Sequence, residues 1–285
     1  STSDPALTKI LNKHYQKNAT NKKVLDSQRF KLRLFKMYSR LLLQNKDYES
    51  LETYLTESYK DFNENGLFSR HNHNDKLTLL TYLTNCLHKT NKYKKSLEIA
   101  KTLKLAMEEH DGFLFDKYIF YYHNALVLNY AKENKEKALE VLQLAKENKS
   151  IKKLPGYTSF IYLNTGLIYY YKENYNLAKR NISRLIQQED FLSLDVAFQF
   201  KLLIVDLIIR LKIGQDDIIQ EKLKELKLNY KKNLNDKKYQ RDALVVETIT
   251  KHINNIDIDK KLISKSLENS TDDDIINYVD WIKNL

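Results

Sequence analysis

Apolar residues recur along this chain at mixed spacings of three and four rather than in strict alternation, and that pattern predicts helices from end to end. Leu202, Leu203, Val205 and Ile209, with Asp206 and Arg210 set among them, illustrate the register. Three stretches carry it most clearly: LLTYLTNCLHKTNKYKKSLEIAKTL, YYHNALVLNYAKENKEKALEVLQLA and YLNTGLIYYYKENYNLAKRNISRLI, with a weaker copy in LFKMYSRLLLQNKDYESLETYL. In each, one helix runs into a polar turn rich in Asn and Lys (NKDY, NKYK, KENKEK or KENYN) and a second amphipathic helix follows. Turns this short join antiparallel neighbours, so the predicted unit is a pair of helices.

The clearest copy places Tyr162, Thr165, Gly166 and Tyr169 on its first helix, Tyr175 and Ala178 around the turn, and Ile182 and Leu185 on its second. Gly166 and Ala178 lack bulk where two helices would cross closely, and the tyrosines fill the spaces beside them. The arrangement resembles the tetratricopeptide repeat, a helix-turn-helix unit with a small residue in mid-helix and Tyr then Ala near the turn. The same register makes Leu51, Ser96, Ala138 and Ala178 equivalent, at intervals of 45, 42 and 40 residues. That period exceeds the roughly 34 residues of the standard repeat, and an armadillo or HEAT-like pairing, at roughly 40 to 47 residues, is the alternative.

The expected fold is all-α, one α-solenoid over 1–285 built from five to six antiparallel pairs. An N-terminal helix and linker would occupy 1–25, the clearest repeats 26–190, degenerate repeats 191–268 and a capping helix 269–285. Only 5 Gly and 2 Pro occur in 285 residues, which leaves few helix breakers and no linker that would divide the chain. Within this scheme Pro5 to Tyr15 forms a short helix ahead of the polar run QKNATNKK, and a long helix runs from about Asp26 to Gln44. Phe198 to Arg210 with Asp217 to Tyr230, and Ala243 to Ile253 with Lys260 to Leu267, form the later pairs. Ser270 or Thr271 caps a last helix whose first turn holds Asp272, Asp273 and Asp274, where Trp281 and Ile282 plug the core.

Candidate chemistry is sparse. The chain has no Gly-rich phosphate loop, nucleophile elbow, paired-Cys motif or His-Glu-x-x-His, so a non-catalytic protein without a cofactor is expected. A metal site has one weak candidate, the segment HNHND, where His71, His73 and Asp75 offer three ligands. Cys86 and His88 stand two apart, so on a helix they point in different directions and cannot pair as nucleophile and base. A single Cys, no signal-like start and no apolar run of about 18 to 20 residues lead to the expectation of a cytoplasmic protein without a membrane span.

Charge adds a second function class. The net charge is +11, and Glu221 to Arg241 concentrates Lys222, Lys224, Lys227, Lys231, Lys232, Lys237, Lys238 and Arg241, interleaved with Tyr230 and Tyr239. Such a stretch could track phosphates and stack bases, although the general preference for Lys over Arg disfavours nucleic acid as the partner.

The resemblance implies instead a protein or peptide partner, held on the first helices of successive repeats in a concave groove. Carrying its register over puts Asn124 and Asn164 at one groove-facing position, where an amide can bond an extended backbone as donor and acceptor. Asn85, His123, Tyr130 and Tyr170 would stand in the same groove, and Arg33, Lys36 and Arg40 would receive acidic groups of the partner. A sensor or regulatory subunit that binds a signalling peptide is a further reading of the same groove.

Overall fold

The computed structural model describes residues 27–189, 191–268 and 274–285. Among the described residues there are fifteen α-helices, three short 3-10 turns and no strand, and the helices pack mainly on their neighbours in sequence. The helix expected at Pro5 to Tyr15, the polar run behind it, and Ser270, Thr271, Asp272 and Asp273 lie outside the described residues. Contacts gather the chain into two compact units, one up to Leu154 and the other Pro155–Leu285.

The first unit contains α1 (Gln28–Gln44), α2 (Tyr48–Glu64), α3 (His73–Lys89), α4 (Tyr93–Gly112), α5 (Phe115–Glu133), α6 (Lys135–Glu147) and the single turn α7 (Lys149–Lys152). Each long helix packs on the next, and α3 also lies against α5, so the first helices of two successive pairs are neighbours. Phe35, Leu51, Leu55, Leu79, Leu83 and Cys86 belong to its core. The second unit contains α8 (Tyr157–Tyr170), α9 (Tyr175–Ile186), α10 (Val196–Lys212), α11 (Asp216–Asn229), the short α12 (Lys231–Asn235), α13 (Gln240–Ile253), α14 (Lys260–Ser266) and α15 (Tyr278–Lys283). Here α10 is apolar on most of its circumference, and α9, α11 and α13 all pack against it.

The pairs turn back through a recurring closure. The first helix ends on a left-handed residue, Lys46 (φ 55°), Asn91 (φ 60°) or Glu173 (φ 59°). The amide that follows reaches back five residues: Asp47 N–H to the Leu42 carbonyl at 3.0 Å, Lys92 to Leu87 at 2.8 Å, Asn174 to Tyr169 at 2.9 Å. This bond satisfies a terminal carbonyl that has no partner within its helix. The second helix is then capped by a side chain: Asp47 accepts from Ser50 N–H, Asn134 from Lys137 N–H and Asn174 from Leu177 N–H. The Asn-rich turns thus serve two ends, since Asn tolerates the left-handed region and caps well.

The register read from the sequence has a physical counterpart: Leu51, Ser96, Ala138 and Ala178 are each fully buried, and Gly166 on α8 faces Ile182 and the Ala178 carbonyl of α9. Trp281 and Ile282 are buried in the core of the second unit as expected. The helix that carries them is shorter than expected, for it begins at Tyr278 and is capped by Asn277. Asp274 is not in a helical first turn; it lies in coil and pairs with Arg241 at 2.7 Å, an ionic bond worth more in a buried setting than a place near a helix dipole. No helix among the described residues is long and apolar enough to cross a membrane.

Candidate functional site

The packing of α3 against α5 leaves a recess of about 240 Å³ lined by Thr81, Tyr82, Thr84, Asn85, His88, Phe120, Tyr121, Asn124, Ala125, Leu128 and Asn129. Two of the predicted groove residues, Asn85 and Asn124, therefore come to one place. Asn85 is exposed and Asn124 half-buried, and neither amide has a partner among the described residues. Tyr121 is 45% exposed and its ring meets Phe120 edge-on at 5.7 Å, which gives the recess an apolar wall.

The floor is a buried polar chain. Asn129, fully buried on α5, donates to Ser96 Oγ at 2.8 Å and to the Ala125 carbonyl at 2.7 Å, while Ser96 Oγ donates to the Thr84 carbonyl at 2.7 Å. His88 Nδ1 faces Asn129 Oδ1 at 3.3 Å. An Nδ1–H donor satisfies that oxygen and leaves Nε2 as an acceptor. Burial lowers the His88 pKa, against the opposing Asn129 bond and with help from Lys89 and Lys132, so the ring is neutral near pH 7. The recess thus presents two amides without a protein partner, neutral polar atoms and aromatic surface, with no charged side chain in its lining.

The other predicted groove residues have different surroundings. Arg33 and Arg40 are exposed on α1 without an ion pair among the described residues, and Lys36 reaches across to Asp75 at 2.9 Å. His123 is buried, its Nδ1 on the Ile119 carbonyl at 2.9 Å, and Tyr130 lies under Lys137, whose Nζ is 5.8 Å from the ring centre. In the second unit, Asn164 spends its amide on its own helix, Nδ2 to the Phe160 carbonyl at 2.7 Å. Tyr170 packs on the core there, edge-on to Tyr171 and Tyr175, and burial raises its pKa.

The candidate nucleic-acid stretch is only partly free. Lys231, Lys232, Lys237 and Lys238 are exposed, while Lys222 Nζ lies 3.4 Å from buried Asp206. Arg241 bonds the Leu267 carbonyl at 2.6 Å and Asp274 at 2.7 Å. Tyr230 stacks on Phe200 at 5.5 Å and Tyr239 meets the same ring edge-on at 5.7 Å, so both rings are engaged with the core rather than presented for base stacking. Beside them is a larger recess of about 380 Å³, which contains a charge network the sequence reading missed. Lys201 sits between Asp242 at 3.5 Å and Asp274 at 3.7 Å, and Tyr278 OH donates to Asp242 at 2.8 Å. Burial raises the Asp242 pKa, with Tyr278 and Lys201 pulling the other way. These charges satisfy one another and tie residues 274–282 to α10 and α13, so the network braces the fold and leaves few groups for a ligand. Lys201 within VAFQFKLLIVDLIIRLK was the available signal, since a charge in the middle of so apolar a helix needs partners.

Of the candidate metal residues, His71 is exposed on a 3-10 turn (Arg70–Asn72), Asp75 is buried but paired with Lys36, and His73 is buried at the start of α3. The three do not converge. Cys86 is buried in the core with its Sγ toward the Leu83 carbonyl at 3.4 Å, and burial, aided by Glu52, pushes its pKa up to about 12. No family model, curated protein or solved structure matches this chain at a significant level.

Proposed function

We propose that this chain is a binding scaffold of tetratricopeptide-like helical pairs whose ligand is an extended peptide or protein segment, received in the recess between α3 and α5. The observation that carries the reading is the pair of partnerless amides, Asn85 and Asn124, lining one recess beside exposed Tyr121. An amide offers a donor and an acceptor together, the complement of a peptide group, and two of them along a groove hold an extended backbone in register. The uncharged lining favours an uncharged stretch of ligand there, with one apolar side chain against Phe120 and Tyr121. Arg33 and Arg40, exposed on α1, are suited to acidic residues elsewhere in the same ligand.

The test is selection of peptides from a displayed random library on the whole chain, followed by fluorescence polarisation on the wild type and on Asn85→Ala/Asn124→Ala. Loss of two to four hydrogen bonds, at about 0.5 to 1.5 kcal/mol each, predicts an affinity loss of roughly 5-fold or more. Equal affinity for the double variant, or binding that follows the exposed lysines of 231–238 instead, refutes the proposal.

A further inference from the structure

We propose that His73, Glu109 and His110 form a binding site for a borderline transition-metal dication of the Zn2+ type. One ligand atom from each lies within 4.8 Å of the others. Two imidazoles and a carboxylate are a donor set that Zn2+, Co2+ and Ni2+ accept, with a fourth position left for water or a ligand.

The buried histidine is the reason to expect a ligand. His73 is 1% exposed, yet neither ring nitrogen has a hydrogen-bond partner. Buried polar atoms are almost always satisfied, and an orphaned donor costs about 1 to 3 kcal/mol. Its Nδ1 faces Glu109 Oε2 at 3.8 Å, and its ring meets that of His110 edge-on with centres 4.8 Å apart.

The backbone brings the other two ligands into place. At the end of α4 the helical conformation stops at Glu109 (φ −62°, ψ 156°), and His110, Asp111 and Gly112 follow in the left-handed region at φ 54°, 61° and 69°. This reversal directs Glu109 and His110 toward the start of α3. Lys76 Nζ bonds both carboxylate oxygens of Glu109, Oε1 at 2.6 Å and Oε2 at 2.8 Å, and Oε2 is also the oxygen that faces His73. A dication on Oε2 displaces the longer of the two Lys76 bonds and leaves Lys76 on Oε1, an outer bond of the kind that orients metal-binding carboxylates. Zn–N and Zn–O bonds of about 2.0 to 2.2 Å require the three donors to close in, and the half-buried His110 and the partly exposed Glu109 have room to move.

The experiment is titration of the tag-free full chain with Zn2+ by calorimetry and with Co2+ by visible absorption. The expected result is one saturable site per chain and a Zn2+-dependent rise in melting temperature. His110→Gln and Glu109→Gln, both on solvent-reaching side chains, should each weaken binding by at least about tenfold. His71→Ala should leave it unchanged. No saturable site in the wild type, affinity that survives His110→Gln, or affinity that is lost with His71→Ala would each overturn the proposal.

Discussion

Gly166→Ala tests the close crossing of α8 and α9. A Cβ on Gly166 would lie 2.7 Å from Ile182 Cδ1 and 2.9 Å from Cγ1, and 3.5 Å from the Ala178 carbonyl oxygen. Carbon pairs prefer about 3.5 to 4.0 Å, so the first two contacts are repulsive while the third is ordinary. Ile182 is fully buried and can yield only by shifting its tip against the core. Overpacking of this kind costs about 1 to 3 kcal/mol, and Ala in place of Gly in a helix returns about 1 kcal/mol. The net expectation is a loss of about 0 to 2 kcal/mol, too broad to decide the matter alone. A double-mutant cycle with Ile182→Val is sharper, because that change removes Cδ1 and with it the 2.7 Å contact. On its own Ile182→Val should cost about 0.5 to 1.5 kcal/mol, yet in the Gly166→Ala background it should cost nothing or stabilise, a coupling of about 1 kcal/mol. Urea denaturation of the four proteins reads it out. Additivity within about 0.3 kcal/mol, or a full 1 kcal/mol gain for Gly166→Ala, would mean that α8 and α9 are farther apart than described.

Two further outcomes follow from the turns and the buried histidines. Glu173 holds a left-handed conformation at φ 59°, costly for a residue with a Cβ, so Glu173→Gly should stabilise by about 0.5 to 1 kcal/mol in urea denaturation; a loss would show that its side chain contributes more than its backbone costs. Burial lowers the pKa of His123, with Lys104 adding to it and the Ile119 carbonyl opposing, below the ordinary value of about 6.5. The unfolded chain then takes up that proton first as pH falls. The stability His123 confers is full above about pH 6.5 and is lost as pH drops from there through the lowered folded value. His123→Gln should flatten the stability profile between about pH 7 and 5, and parallel profiles for variant and wild type would refute this.

Helix existence and pairing were legible because they depend on local spacing. Positions 51, 96, 138 and 178 fall at equivalent places on the second helices of their pairs, and each is fully buried because the face it occupies turns toward the core. Side-chain direction was less legible. Tyr230 and Tyr239 sit among lysines in a stretch that looks solvated, yet both rings close on Phe200, for an aromatic beside a core gains more by burial than a polar neighbourhood can oppose. Asn124 and Asn164 share a register position but differ in what they can do, because only Asn164 bonds back to its own helix.

The histidines show where sequence reading reaches its physical limit. Alternation in HNHND suggested ligands two residues apart, which holds only if the segment is extended; instead α3 starts at His73, and helical geometry sends His73 and Asp75 to different surroundings. Asp75 meets Lys36 on one side, and His73 meets Glu109 and His110 on the other. Those partners arrive from more than thirty residues away through a left-handed reversal at His110, Asp111 and Gly112, of which only Gly112 adopts the conformation without a Cβ penalty. A run of three left-handed residues, two of them with a Cβ, costs about 1 to 3 kcal/mol for each such residue and persists only where its surroundings repay it. Among the described residues neither ring nitrogen of His73 finds a hydrogen-bond partner, and that is the observation on which the proposed metal site rests.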